Sequence, residues 1–406
     1  MEPTRKMVTT YPSPLDVARH YVAHTVSSRR FRAFVVMLAL VLIARTISSF
    51  DLVHLPRAFQ PSRRFVRSLL NRRLRVPTVA NRSSFTVMQH TPSGRIPSQD
   101  AGVAHVLPIN AFDSDERVWK SIQSTDELGV RTEPRSNFAL ITWNVDFSSP
   151  EPENRIDAAL SYLRSLLVSG IDTISPAIIV FQEINHSMVK SIAENEWVQR
   201  NFFVTDVSTD AGVWTKSHYG TLTLVDRRMP VKTVLRLHYD SDFNRDCLFV
   251  DVEAASAHTS QTVTVRVGNT HLESLVPPTP LRVNQMKQAG RLVLHDSNVY
   301  TGLIAGDMNP IDPFDSYLPV EVGLKDAYLE GGGQDEDPRG HTWGYQSGDG
   351  EQQPYPKRRF DKILYPPGDR MTVEQVAVIG AGQKTTKQPE VFISDHFGVW
   401  GNIRIW

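Results

Sequence analysis

Residues 301–309 read TGLIAGDMN, an apolar run that ends in Gly306, Asp307 and Asn309. A short apolar run bounded by polar turn residues indicates a buried strand. Such a strand delivers the polar side chains at its end to one edge of a sheet. Because Gly, Asp and Asn also form ordinary turns, this stretch alone does not distinguish a turn from a reactive site.

The same arrangement recurs along the chain, with a polar side chain after each of several apolar strands. Asn144 follows ITW, Glu183 follows IIVFQ, and His271 follows VRVGNT. Asp395 and His396 follow VFIS in the same way. The carboxyl ends of strands in layered α/β folds commonly share one edge, so we expect these side chains and the pair after TGLIAG to line one cleft.

Helical patterns alternate with these strands from Phe138 to the end of the chain. Residues 154–170 place apolar side chains on one helical face, and residues 187–199 and 281–295 also suit helices. Residues 391–406, VFISDHFGVWGNIRIW, suit a final interrupted strand. Because strands outnumber helices, the sequence predicts an α/β (α+β type) fold, a four-layer sandwich of two mixed β-sheets flanked by helices.

Charge divides the chain into two parts. Residues 1–75 contain 14 Lys or Arg and 3 Asp or Glu, whereas the whole chain contains 44 of each class, so the remainder is acidic. We predict a basic, largely disordered tail over residues 1–134 and a catalytic domain over residues 135–406, whose carboxylates suit divalent cations. Cys247 is the only cysteine, which excludes an intramolecular disulfide and a multi-cysteine zinc site.

One apolar segment, AFVVMLALVLIA, lies within the basic tail at residues 33–44. As a helix it would span about 18 Å, which is short of the ~30 Å hydrocarbon core of a bilayer. Three interpretations stay open: a short helix that packs on the body, an Arg-rich targeting or signal-anchor segment, and a gene-model extension that never folds.

The residue types at the strand ends suit phosphate chemistry. A hard cation such as Mg²⁺ prefers oxygen ligands, and Glu183 fits as a direct ligand. Asp307 suits the activation of a water, while Asn309 suits holding that water or a phosphate oxygen. His396, kept protonated by a neighbouring carboxylate, suits the stabilisation of charge at phosphorus, and His271 provides a second imidazole for the phosphate.

Each of these residues also has an ordinary structural explanation. A Glu after a buried strand, such as Glu183, often begins a helix, where the helix dipole favours a carboxylate. His271 alone suits a hydrogen-bonded structural residue, and Asn144 alone suits a strand-end cap. The whole set, in this order and with these neighbours, favours a reactive site over coincidence.

Six short motifs resemble those of the endonuclease/exonuclease/phosphatase superfamily: TWN, FQE, THLES, GDMN, RRFDKIL and SDH. Within that superfamily, TWNVD, THLES with a downstream R.NQMK, and HTW are most similar to the 5′-tyrosyl-DNA phosphodiesterase branch. The resemblance covers residues 138–406.

The resemblance implies a role for each matching position. It implies that Glu183 binds Mg²⁺ and that Asn144 and Asp395 surround the metal and its waters. Asn144 is also predicted to be a catalytic residue. It implies that Asp361 orients an imidazole and that Trp343 lines the nucleic-acid groove, where aromatic faces stack on bases. It also implies the water, phosphate and charge-stabilising roles described above for Asp307, Asn309, His271 and His396.

The chain departs from this branch after THLES, where a Thr-Arg pair that contacts phosphate is usual. Here the sequence continues LVPPTP, and the next Arg is Arg282. We predict that Arg282 or Arg245 takes over the contact with the substrate phosphate.

The sequence therefore predicts a Mg²⁺-dependent phosphodiesterase, with Mn²⁺ as an alternative ion, that hydrolyses a 5′-phosphotyrosyl bond at DNA ends in DNA repair. The alternatives are a same-fold phosphodiesterase that acts on another nucleic acid, as an abasic-site or general nuclease, or on a phospholipid such as sphingomyelin, and a binding module without activity. We expect a monomer that acts on DNA 5′ ends carrying a tyrosyl or peptide adduct. We expect it in the nucleus, with the mitochondrion, or membrane association through residues 33–44, as alternatives.

Overall fold

The structure is a computed structural model that describes residues 88–89, 101–129, 133–169, 175–210, 214, 217–275, 279–346 and 356–406. All of these residues belong to one compact unit, Ser83–Trp406. The apolar segment 33–44 and most of the predicted tail lie outside the described residues. Among the described helices, none has the length and apolar character that crossing a membrane requires.

Strands and helices alternate along the described chain. The strands are β1 (Met88–Gln89), β2 (Ala104–Leu107), β3 (Ile109–Asp113), β4 (Val118–Ile122), β5 (Asn137–Asn144), β6 (Ala177–Asn185), β7 (Phe202–Val204), β8 (Tyr219–Asp226), β9 (Val231–His238), β10 (Asp246–Ala255), β11 (Thr262–His271), β12 (Thr301–Asp307), β13 (Lys325–Asp326), β14 (Asp361–Tyr365), β15 (Met371–Ile379) and β16 (Gly398–Ile405). The helices are α1 (Pro152–Ser169), α2 (His186–Glu194), α3 (Glu196–Asn201), α4 (Thr279–Leu294), α5 (Leu318–Glu321) and α6 (Ala327–Glu330). Short 3₁₀ helices span Thr125–Leu128, Pro313–Tyr317 and Pro338–Gly340.

The strands form two eight-stranded sheets. The first sheet has the order β1-β2-β9-β10-β11-β12-β14-β13, and the second has the order β15-β16-β5-β6-β8-β7-β3-β4. Parallel pairs, such as β11 with β12 and β5 with β6, stand beside antiparallel pairs, such as β10 with β11 and β16 with β5. Both sheets are therefore mixed, as predicted.

The two sheets pack face to face and carry helices on their outer faces. The central core joins Leu140 and Val180 of the second sheet to Val250 and Val267 of the first. A second apolar cluster joins the outer face of the second sheet to α1 and α2, and a third joins the first sheet to α4. The predicted four-layer sandwich is confirmed.

The helix predicted over residues 187–199 is divided into α2 and α3. Asn195 separates them, because its side-chain oxygen accepts hydrogen bonds from the backbone N–H groups of Trp197 and Val198. Asn is one of the strongest N-cap residues, so it starts a second helix instead of continuing the first.

The fold begins before residue 135, so the predicted boundary at residue 134 is wrong for residues 104–122. β2 pairs with β9, and β3 and β4 extend the edge of the second sheet. The buried Asn110 side chain fixes this edge by donating to the carbonyls of Val204 and Thr205. β4 is mostly exposed, with Ile122 as its one buried residue, so it lacks the alternation that would reveal a strand in the sequence.

The final strand is shorter than predicted, because β16 begins only at Gly398. Asp395 and His396 lie in the loop before it, where the Ser394 hydroxyl donates to the Asn144 carbonyl. β16 is antiparallel to β5, so its first residues lie at the same sheet edge as the last residues of β5. The two side chains therefore reach that edge from the start of a strand and not from its end.

Candidate active site

Polar side chains from both sheets meet at one edge of the sandwich. Asn144 is the last residue of β5, and Glu183 is the third residue from the end of β6. His271 and Asp307 end the parallel neighbours β11 and β12. The Asn144 Nδ2 donates to Glu183 Oε1 at 3.2 Å and to Asp307 Oδ2 at 3.0 Å, and it thereby links the two sheets.

Unusual backbone conformations aim two of the predicted residues at this edge. Glu183 has a φ of 59° and lies at a register shift between Phe181 and Ile184 of β6. Asn309 has a φ of 43°, and its Nδ2 donates to the Leu272 carbonyl at 2.9 Å. Positive φ in residues other than Gly costs on the order of 1–3 kcal/mol and is concentrated at functional sites.

Gly306 allows Asp307 to occupy its position. Its φ is 147°, and a Cβ at this residue would lie 1.8 Å from the Thr270 carbonyl oxygen. A side chain here would therefore push β12 away from β11. The Gly of the GDMN motif thus has a steric reason, which turn formation alone does not explain.

His396 forms a buried charged pair at this edge. Its Nδ1 lies 2.8 Å from Asp361 Oδ2, and its Nε2 lies 3.8 Å from Asp307 Oδ2. Burial lowers the pKa of His396, but the carboxylates of Asp361 and Asp395 outweigh burial and raise the pKa well above its ordinary value. The orienting contact predicted for Asp361 is present, and the ring is an imidazolium that points toward Asp307.

His271 differs from His396 because it is neutral. Its Nδ1 lies 2.5 Å from Arg245 Nη1, and since a guanidinium only donates, this nitrogen accepts and the ring proton is on Nε2. Nε2 lies 3.4 Å from Asp307 and 3.8 Å from Glu183. Burial, then the charges of Arg245 and His396, lower the pKa of His271 well below its ordinary value.

Trp343 supports Asp395. Its indole Nε1 donates to Asp395 Oδ2 at 3.0 Å, and its ring stacks on Phe360 with centroids 5.0 Å apart. Only 8% of the residue is exposed. The prediction that Trp343 is a platform for bases is therefore wrong in this structure, because the ring is buried and positions a carboxylate.

The carboxylates at this edge form a site that suits a divalent cation. Burial raises the pKa of Glu183 to about 7; the Arg245 charge opposes this increase and the Asp395 charge adds to it. Carboxylate oxygens crowded in this way fit a hard cation, whose charge relieves their repulsion. Ligand atoms of Asp307, Asp361 and His396 also lie within 4.8 Å of one another, but the protonated ring of His396 is a donor and not a ligand.

A comparison with models of known protein families matches residues 141–396 to the Endonuclease/Exonuclease/phosphatase family. The chain belongs to this family. Members of this family generally depend on a divalent metal, and the chain is a metal-dependent phosphodiesterase hydrolase. A comparison with curated proteins finds no match.

Solved structures of family members share the fold of this chain. A crystal structure of humanized D. rerio TDP2 with 14 mutations has a TM-score of 0.50 and 19% identity, and the alignment covers 66% of this chain and 99% of that chain. Truncated TDP2 of Caenorhabditis elegans has a TM-score of 0.50 and 21% identity, and the alignment covers 66% of this chain and 97% of that chain. D. rerio TDP2 complexed with single strand DNA product has a TM-score of 0.50 and 20% identity, with 66% of this chain and 99% of that chain covered.

Arg282 does not reach the candidate active site. Its side chain is fully buried and pairs with Asp315 at 2.8 Å and with Asp312 at 3.1 Å. It also donates to the carbonyls of Glu273 and Leu275. The prediction that Arg282 contacts substrate phosphate is therefore wrong, because its guanidinium ties together the two loops that follow β11 and β12.

Arg245 lies beside the residues of the edge, and its contact with substrate phosphate stays a prediction. It contacts His271, and its guanidinium lies 5.1 Å from the ring centre of Tyr219 and 5.6 Å from that of Phe243. Tyr219 stacks on Phe147 with centroids 3.8 Å apart. The sequence analysis missed these aromatic residues, since no spacing connects positions so far apart in the chain.

A buried ion pair that the sequence analysis also missed holds two loops of the site. Arg155 Nη2 lies 3.1 Å from Asp146 Oδ2, and Arg155 also donates to the carbonyls of Asp146 and Ile393. Burial raises the pKa of Asp146, but Arg155 and two serine hydroxyls outweigh it and lower the pKa. The pair joins the segment after Asn144 to the segment that carries Asp395. Asp146 in TWNVD was the available signal.

Proposed function

We propose that the protein hydrolyses the 5′-phosphotyrosyl bond at DNA ends, with Mg²⁺ as its metal. The observation that carries the proposal is the hydrogen-bonded link from Glu183 through Asn144 to Asp307, beside the His396 imidazolium. This arrangement combines a cation site, a base and a positive charge around one point, as phosphodiester hydrolysis requires. The structural similarity to D. rerio TDP2 complexed with single strand DNA product supports a DNA end as substrate and a role in DNA repair.

Glu183 and Asp395 are the residues that would hold the metal, with Asn144 orienting Glu183. The amide of Asn144 is already fixed, because its Oδ1 accepts from the Asp146 N–H at 3.0 Å and its Nδ2 donates to both carboxylates. When bound, Mg²⁺ or Mn²⁺ supplies Lewis-acid polarisation of a non-bridging phosphate oxygen.

Asp307 is the group that takes the proton of the attacking water. Burial raises its pKa, the His396 charge opposes the increase, and the Asp361 charge adds to it. A carboxylate with a raised pKa is a better proton acceptor at neutral pH than an exposed one. The Asn309 backbone N–H donates to Asp307 Oδ1 at 2.9 Å, which orients the other oxygen toward the site.

His396 stabilises the negative charge that develops on the phosphoryl oxygens. The ring is already charged and fixed by Asp361, so it needs no reorganisation during the reaction. The leaving tyrosine oxygen has a pKa of about 10 in free phenols, so it leaves with less protonation than an alkoxide needs. Arg245, which lies near the aromatic residues, is a second fixed positive charge for the phosphate or the phenolate.

A panel of three substrates tests this function. Turnover of a 5′-tyrosyl oligonucleotide, an abasic duplex and sphingomyelin is measured with saturating Mg²⁺. The proposal expects the tyrosyl oligonucleotide to have a kcat/KM at least ~10²-fold above the others, because the phenol is the best leaving group. Preferred turnover of the abasic duplex or of sphingomyelin would replace the proposed substrate, and no turnover with normal metal binding would favour a binding module.

A DNA substrate also implies a compartment that holds DNA, and we propose the nucleus. Imaging of a full-length fusion against one that lacks residues 1–50 tests this location. Mitochondrial or membrane staining that disappears with the deletion would assign a targeting role to the 33–44 segment instead.

A further inference from the structure

The position of Glu183 depends on an interruption in β6. Strands β6 and β8 pair regularly as far as Phe181 and Leu222, and the pairing resumes at Ile184. In the interval two residues of β6, Gln182 and Glu183, oppose one residue of β8, so β6 contains a β-bulge. The bulge turns the Glu183 carboxylate toward the candidate active site. Whatever holds the bulge therefore also fixes a residue that would bind the metal.

The backbone of the bulge is strained at Glu183. Its φ of 59° lies in the left-handed region, which residues other than Gly seldom adopt. A conformation of this kind persists only where the surrounding contacts determine it. Because the pairing with β8 is interrupted at this point, we looked for side chains that replace the missing ladder contacts.

Asn269 reaches the bulge from the other sheet. It lies on β11 of the first sheet and is fully buried. Its Nδ2 donates to the carbonyls of Phe181 and Leu222, both at 3.0 Å. These two residues form the last regular pair before the bulge. One amide of the first sheet therefore holds both strands of the second sheet at the point where their pairing stops.

The oxygen of the Asn269 amide holds the bulge itself. Oδ1 accepts from Gln182 Nε2 at 2.8 Å, and Gln182 is the residue directly before Glu183. Gln182 Nε2 also donates to Thr142 Oγ1 of the neighbouring strand β5 at 3.1 Å. The Asn269 amide has only this orientation, because a reversed amide would place its oxygen against two carbonyl oxygens.

The place of Asn269 on its strand connects the bulge to the active site. Asn269 and His271 are two residues apart on β11, so their side chains point to the same face of the first sheet. That face lies against the second sheet, since Val267 belongs to the core between the sheets. His271 Nε2 lies 3.8 Å from Glu183 Oε1. One strand thus reaches the Glu183 side chain through His271 and the backbone before it through Asn269.

An apolar residue at position 269 would avoid the cost of burying an amide. Val265 and Val267, earlier on the same face of β11, fill the space between the sheets in that way. A buried amide is tolerated only when its polar atoms have partners. The partners of Asn269 all lie around the bulge, which is the part of β6 that presents Glu183.

We propose that Asn269 is a positioning residue for the metal site, which holds the β6 bulge so that Glu183 stays within reach of a divalent cation. It acts through the backbone of residues 181–183 and not by touching the metal. Replacement of residues that orient a metal ligand typically weakens metal binding by about 10–100-fold. The inference rests on the proposed function only because it takes Glu183 as a metal ligand, and it does not depend on the phosphotyrosyl substrate.

Calorimetric titration with Mg²⁺ at about pH 8 tests this role, since Glu183, whose pKa is raised to about 7, is then ionised. In Asn269→Ala both carbonyls and Gln182 lose their partner, so the Kd for Mg²⁺ should rise at least ~10-fold. Tm should also fall by ~5 °C or more, because buried carbonyls are left unpaired. Asn269→Thr keeps one hydroxyl donor for a carbonyl, so its Kd should rise only about threefold.

Asn110→Ala is the matched control. Asn110 is also buried, its Nδ2 donates to the carbonyls of Val204 and Thr205, and its Oδ1 accepts from the Ser121 hydroxyl. It lies on β3, three strands away from β6 in the second sheet. Its replacement should lower Tm by a similar amount but change the Kd for Mg²⁺ by less than about twofold, because distant sites act independently.

The outcomes separate this inference from the proposed function. A Kd of Asn269→Ala within about twofold of wild type, or an equal increase in Asn110→Ala, would overturn the inference and leave the function standing. Asn269→Thr decides the question if Asn269→Ala does not fold, and a wild-type Kd in Asn269→Thr would then overturn the inference. A wild-type protein that binds no Mg²⁺ would overturn the proposed metal and the inference with it.

Discussion

Replacement of Asp361 by Asn isolates the charge that keeps His396 protonated. Burial lowers the pKa of His396, and Asp361, at 2.8 Å from Nδ1, contributes most to raising it. Asn keeps an oxygen that accepts from the ring but removes the negative charge, so the pKa of His396 falls. Loss of one fixed charge-stabilising group costs about 10²–10³ in kcat. We expect a ~10²-fold lower kcat above neutral pH, with KM nearly unchanged.

The loss of kcat in Asp361→Asn should grow as pH rises. In the wild-type protein the imidazolium persists through neutral pH, because its pKa is raised. In Asp361→Asn the ring loses its proton as pH rises, so kcat should fall with increasing pH and recover toward about pH 6. The assay is the pH profile of kcat for a 5′-tyrosyl oligonucleotide between about pH 6 and 9.

A stability control separates charge from folding. Asp361 Oδ1 is buried and has no hydrogen-bond partner among the described residues, so the amide NH₂ would be buried there at a cost of about 1–3 kcal/mol. Asp326→Asn is the matched control, because Asp326 is also buried and pairs with Arg359 at 2.6 Å. It should lower Tm without changing the pH profile. A kcat of Asp361→Asn within threefold of wild type at every pH, or equal kcat losses in both variants, would refute the reasoning.

Three further predictions concern the frame of the site and its metal. Gly306→Ala should lower the free energy of unfolding by more than ~3 kcal/mol, since its Cβ would meet the Thr270 carbonyl at 1.8 Å, and a Tm within a few degrees of wild type would contradict this clash. Arg155→Ala leaves the buried Asp146 carboxylate unpaired and should cost about 3–5 kcal/mol in chemical denaturation, whereas a loss below ~1 kcal/mol would show that the pair does not hold these loops. Burial raises the pKa of Glu183 to about 7, so a proton competes with Mg²⁺ below that pH. Calorimetry should show a Kd for Mg²⁺ that weakens about tenfold per pH unit below ~7 and levels off above it, and a Kd that is independent of pH would exclude Glu183 as a ligand.

The layers of the fold could be predicted because burial determines the spacing of apolar residues along the sequence. Strands such as TGLIAGD are apolar on both faces, and α1 repeats its apolar residues at helical spacing. Strand ends could be predicted for the same reason, since Asp307 and Asn144 each interrupt an apolar run. The edge strands within residues 104–122 were missed because they are short and partly exposed. Too few residues are buried to show the alternation of apolar and polar side chains that indicates a strand.

The partners of charged residues could not be predicted in the same way. Arg282 and Arg245 look equivalent in the sequence, yet Arg282 pairs with Asp315 inside the protein and Arg245 contacts His271. These contacts join loops from different strands, and the folded backbone decides which loop receives which charge. For the same reason the sequence gives no sign that Trp343 supports Asp395 instead of facing a base.

Oxygen-isotope labelling of a single turnover tests the central claim most directly, namely that a water beside Asp307 attacks phosphorus and the tyrosine oxygen leaves. A 5′-tyrosyl oligonucleotide is hydrolysed in H₂¹⁸O with Mg²⁺, and both products are analysed by mass spectrometry. The account predicts one ¹⁸O in the 5′-phosphate and none in the tyrosine, with release abolished in Asp307→Asn. Label in the tyrosine, or unchanged release by Asp307→Asn, would contradict it.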